Sequence, residues 1–129
     1  GVLSQVTFFI RTAERELNLL SDKYESNNRF ILQVKDNLEL MEKQGPILEK
    51  SNDLLEQSKE LFFDYKFEES QELVKKAEHI AKETTQTYLS IKENIDELKI
   101  TIKYFKKKGI KTDKLELMLK EVEKEVEEK

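Results

Sequence analysis

The chain has 129 residues and carries 23 Lys plus Arg against 27 Asp plus Glu, a formal net charge of −4. It has no Cys, no Trp, three Gly and one Pro, which excludes a disulfide scaffold, a cysteine-based zinc site, a thiol nucleophile and a turn-rich β-sandwich or barrel. Charged residues make up 39%, and no uncharged apolar run approaches the ~18 residues that a membrane span needs.

The first element is the strongest. Apolar residues recur in steps of three and four through Leu3, Val6, Ile10, Ala13, Leu17, Leu20, Tyr24, Ile31, Val34, Leu38 and Met41. That spacing is a heptad seam and predicts one helix over about 2–43, roughly 60 Å long at 1.5 Å per residue. Asn27 is the one polar member of the seam. It reads as a weak spot or local bend, and otherwise as a buried amide that fixes register against a partner helix. A rod of this length cannot bury its own stripe.

Gln44-Gly45-Pro46 ends that helix. Gly favours the position just past a helix C-terminus and Pro the first position of the next. A second helix is expected over about 46–63, with Ile47, Leu48, Ser51, Leu54, Leu55, Ser58, Leu61 and Phe62 as its stripe. The alternative is one helix kinked at Pro46. Phe62-Phe63-Asp64-Tyr65-Lys66-Phe67 concentrates aromatic residues at a tight turn near 64–66, where the rings fill the corner between two helices.

A third helix is expected over about 67–107, with Leu73, Ala77, Ile80, Thr84, Tyr88, Ile91, Ile95, Leu98, Ile102 and Phe105 as its seam. The paired four-residue steps at 80–84–88 are a stutter, which locally unwinds helix packing. Lys108-Gly109 stops this helix. Thr112 or Asp113 then caps a fourth, about 113–128, and Asp113-x-x-Glu116 resembles a capping box. Its stripe is Leu115, Met118, Leu119, Val122 and Val126.

Charge is segregated along the chain. Residues 98–114 hold Lys99, Lys103, Lys106, Lys107, Lys108, Lys111 and Lys114 against a single acid, Asp113, while residues 45–97 and the last helix are acidic. Cations at a helix C-terminus interact favourably with its dipole, and pairing with the acidic segments is the simplest use of the cluster. An anionic membrane surface is the functional alternative. Nucleic acid is disfavoured, because the cluster has no Arg for bidentate contacts and the whole chain is acidic.

Catalytic and metal-binding signals are missing. His79 is the only histidine and has Lys76, not Glu, three residues before it, so the paired Glu-x-x-His pattern of a diiron bundle is not met. No phosphate-binding glycine loop, H-E-x-x-H or G-x-S-x-G occurs. The expectation is a non-enzyme with no cofactor and no metal.

The stretch from Leu54 to Ala77, a leucine-rich helix, an Asp64-Tyr65 corner and Glu68-Glu69-Ser70 opening the next helix, resembles the helical-hairpin repeats of spectrin-like and archaeal coiled-coil proteins. It also resembles the spectrin-like repeats of the bacterial septation-ring regulator EzrA, with Gly109-Ile110-Lys111-Thr112 at the place of the following link. The resemblance covers roughly residues 48–125 and implies scaffolding or partner binding, with no catalytic residues.

The reading is therefore all-α: an elongated, antiparallel, spectrin-like bundle of two long and two short helices, the short ones packed against opposite ends of the long pair. Residues 1–129 form one module. The opening at Gly1 without Met suggests a piece of a larger protein. The expected function is structural scaffolding or protein–protein interaction through coiled-coil packing. Two alternatives are a sensory or regulatory bundle of a membrane-anchored receptor, and an anionic-lipid or nucleic-acid module using the lysine cluster. The seam from Leu3 to Leu20 exceeds what the short helices can cover. Leu3, Val6, Ile10, Leu17 and Leu20, with Phe8 and Phe9 beside them, are thus the expected contact residues for a protein partner or a second copy of the chain. The absence of Cys favours the cytoplasm.

Overall fold

The computed structural model describes residues 1–128. Four helices follow in order: α1 Val2–Glu42, α2 Glu49–Phe63, α3 Phe67–Lys107 and α4 Asp113–Glu128. Two are long, at 41 residues each, and two are short, at 15 and 16. Three breaks separate them, and each has a local cause.

The first break is complete rather than a kink. Gly45 takes φ +121°, a conformation that costs a side-chain-bearing residue about 1–3 kcal/mol, and a Cβ there would also run into the Tyr88 ring. Pro46 does not open the next helix. Residues 46–48 stay outside any helix and carry the chain across the end of the bundle, dropping Leu48 into the core at 3% exposed. Asn52 then staples the link, its Nδ2 donating to the Leu48 carbonyl at 2.9 Å and to Glu42 Oε1 at 2.6 Å.

The other two breaks share one geometry. After α2 the Lys66 N–H bonds the Leu61 carbonyl at 2.9 Å and the Tyr65 N–H bonds the Phe62 carbonyl at 3.1 Å. After α3 the Ile110 N–H bonds the Phe105 carbonyl at 3.2 Å and the Gly109 N–H bonds the Lys106 carbonyl at 3.1 Å. Both are Schellman closures, which need a left-handed residue just past the helix. Gly109 meets that need at φ +84°, whereas after α2 the position is filled by Tyr65 at φ +61°.

The C-terminal half of α1, all of α2 and the N-terminal half of α3 make a three-helix body. Ile31, Val34, Leu38, Leu48, Leu55, Phe62, Phe67, Val74 and Ala81 form its core, with Phe30 and Met41 packed against it. Cross-helix partners set the directions. Lys23 meets Glu68, Asn27 meets Ser70 and Asn37 meets Glu78, so α1 and α3 ascend together. Ser70 reaches back to Ser58, so α2 descends beside them. A polar layer crosses this body: Asn27 Nδ2 donates to Ser70 Oγ at 3.0 Å, and Ser70 Oγ donates to the Ser58 carbonyl at 2.7 Å. Asn27 is therefore buried, and its contact is with α3 of its own chain.

The buried face of α3 keeps Ala77, Ile95 and Ile102 of the expected seam and departs from it elsewhere. Phe67, Ser70, Val74, Ala77, Ala81 and Thr85 are buried, while Thr84 is exposed and Leu73 and Ile80 are only half-buried. The cause is close packing. Ser51 and Ser58 are buried on α2 and the Ser58 carbonyl accepts from Ser70 of α3, and small residues at a contact let two helix axes approach.

Beyond Tyr88, α3 leaves this body. Its C-terminal half is covered by α4 alone, through Ile95, Ile102 and Leu119 with Val126 beside them. Lys106–Glu116 at 3.2 Å and Lys99–Glu123 at 3.1 Å show α4 running back along α3. Of the expected α4 stripe only Leu119 is buried; Leu115, Met118 and Val122 are exposed, because one flanking helix covers one line of residues.

Candidate functional site

The opposite end of the molecule is bare. From Gly1 to Ser26 every residue except Thr12 is exposed, although residues 2–26 are helical throughout. Leu3 is 83% exposed, Phe9 69% and Leu17 63%. Val6, Phe8, Ile10 and Leu20 are likewise exposed, so all seven residues expected as contacts lie on this arm. Ala13, a seam position, belongs with them. Thr7 and Thr12 turn their hydroxyls onto the carbonyls of Leu3 and Phe8, each at 2.9 Å, and so present methyl groups rather than donors. The Phe8 and Phe9 rings meet edge to face at 6.2 Å.

The arm ends at an aromatic corner. Tyr24 packs on Phe62 at 4.7 Å and on Phe67 at 6.2 Å, which joins α1 to the α2–α3 turn. Tyr65 stands edge-on to Phe67 at 5.9 Å and is 68% exposed. Phe63 is exposed as well. A hollow of about 330 Å³ lies here between Leu20, Lys23, Tyr65 and Phe67, and Lys23 bridges it to Glu68 at 3.3 Å. The rings of Tyr24, Phe62 and Phe67 fill the corner, as expected, and Tyr65 also lines the hollow at the foot of the arm. The readable trace of that role is a tyrosine standing where a helix end prefers Gly.

A second concave region lies at the waist. The α1–α2 link, the α3 stutter and the last turns of α4 enclose an open groove of about 600 Å³, lined by Pro46, Ile47, Thr84, Tyr88, Ile91 and Val126 among others. Its walls are mostly apolar, and its acids, Glu83 and Glu125, are both exposed.

The lysine cluster divides. Lys99 and Lys106 pair with Glu123 and Glu116 of α4, and Lys108 lies 4.7 Å over the Tyr104 ring. The Lys106 ammonium, bonded to Glu116, holds that carboxyl below its ordinary range; burial opposes the shift and the Thr112 hydroxyl adds to it. Lys103, Lys107, Lys111 and Lys114 are exposed.

His79 sits 3.1 Å from Glu83 on the outside of α3. Among the described residues no group of three or more His, Cys, Asp or Glu side chains is placed to hold a metal ion, and no helix is long and apolar enough to cross a membrane. The chain matches no protein-family model, no curated protein and no solved structure.

Proposed function

We propose that this chain is a non-enzymatic scaffolding or interaction module, spectrin-like in plan, whose working surface is the bare arm of α1. One observation carries the reading. The stripe that buries Asn27, Ile31, Val34 and Leu38 in the three-helix body continues on the same face of the same helix through Leu20, Leu17, Ile10, Val6 and Leu3 with nothing over it. A buried Leu or Ile gains about 1.5–3 kcal/mol over an exposed one. Most helical stability in proteins comes from tertiary packing, which this arm lacks. Both terms favour a covering helix from a protein partner. The lysine cluster supports the pairing use of its charges, since two of its members already bridge to α4.

The test places a photoreactive amino acid at Ile10 in the full chain. Illumination should yield one defined protein adduct, a second copy included, and Leu3→Lys with Leu17→Lys should abolish it while the helical body stays folded. No adduct at Ile10 overturns the reading.

A further inference from the structure

We propose that the arm is covered by the same arm of a second copy running antiparallel, with Leu3 against the partner's Leu20, Val6 against the partner's Leu17 and Ile10 against the partner's Ala13. This rests on the docking reading and names its partner.

Three features of the molecule argue for it. The first is the seam itself. Leu3, Val6, Ile10, Ala13, Leu17 and Leu20 keep their spacing when read backwards, so reversing one helix places every apolar layer on another. The overlap spans about 26 Å at 1.5 Å per residue, near five turns. Antiparallel helices face like flanks. In this register Thr7 lies opposite the partner's Glu14, Phe9 opposite the partner's Glu16 and Val2 opposite the partner's Lys23. No two like charges meet, and the apolar flank residues rest on the stems of charged ones.

The second feature excludes the parallel alternative. The seam passes from the arm into the body without changing face: Tyr24 already touches Phe62 and Phe67, and Asn27 touches Ser70. A parallel partner would need the space that α2 and α3 occupy from Tyr24 onward. An antiparallel partner ends its overlap at the corner and keeps its own body at the far end.

The third feature is the corner. The start of the partner's arm arrives beside Leu20, where exposed Tyr65 lines an open hollow. Tyr65 holds a left-handed conformation, φ +61°, that Gly adopts without strain. Strain kept at an exposed aromatic residue is accounted for if that ring caps the pair. Phe8, on the outer face, is not used by this pairing.

The test uses the full chain, which has no cysteine of its own. Sedimentation equilibrium should give twice the 15.3 kDa chain mass. Leu17→Lys should weaken self-association at least about a hundredfold, because each pair then carries two buried charges. Exchange protection around Val34 and Val74 reports that the body stays folded in that variant. Mixed under oxidising conditions, the Leu3→Cys and Leu20→Cys chains should form a disulfide with each other, and Leu3→Cys alone should not form one with itself. A monomer at micromolar concentration, or a Leu3→Cys disulfide with its own kind, overturns the proposal. If the Ile10 adduct contains a different protein, the second copy is overturned and the docking reading stands; if there is no adduct, both fall.

Discussion

Asn27 is the residue where three helices are tied together. Its Nδ2 is satisfied by Ser70, but its Oδ1 is buried without a partner, as is Ser51 Oγ. A buried unsatisfied acceptor costs about 1–3 kcal/mol. Leu has the branching of Asn and no polar atom, and Ser70 would keep its bond to Ser58. Asn27→Leu should therefore raise stability by about 1 kcal/mol in urea titration. It should also loosen register, seen as broadened or doubled amide signals around Ser58 and Ser70, because a lone buried amide is what penalises slipped pairings. At the other end Glu116 ties the α3–α4 turn, accepting from Lys106 and Thr112. Its folded pKa lies below the ordinary 4.5. Its contribution is thus complete above about pH 4.5 and lost as the pH falls through the lower folded value. Amide protection in α4, taken relative to the intrinsic exchange rate, should fall in that acid window, and Glu116→Gln should reduce that fall.

Among the elements, α3 holds two halves of different stability. Its first half is clasped by α1 and α2, and its second by α4 alone, through a core of three buried residues. A patch that small opens at a lower free energy than the body. Ile102→Ala should cost α4 about 2 kcal/mol of exchange protection and leave the urea midpoint of the three-helix body unchanged. The faces of α3 also mark where periodicity stops being informative. Counting seam positions picks out Leu73, Ile80 and Thr84, whereas packing buries Ser70, Val74, Ala81 and Thr85. Ser58 of α2 takes part in that choice, since its carbonyl accepts from Ser70. For Asn27 the seam left a local bend and a buried amide both open, because its burial depends on Ser70, 43 residues away, and heptad counting sees one chain of positions at a time.

At the scale of the whole molecule the helices and the places where they stop were legible, because Gly45, Gly109 and the Asp64-Tyr65 corner are local backbone statements; the start of α2 was not, since residues 46–48 stay outside it. The bare arm was legible too, as more seam than the short helices could cover. The placement of α4 was less so: its stripe suggested a full interface, and a single neighbour leaves Leu115, Met118 and Val122 in water. Finally, α1 and α3 climb in the same sense yet protrude from opposite ends of the body they share. Tension between the tip of the arm and the far end of α3 would load their common contact lengthwise, straining every layer from Tyr24 to Tyr88 at once. A pull on α4 would instead peel it away one turn after another. The waist would then resist stretching as a glued lap joint does, while the outer hairpin would yield as a zip.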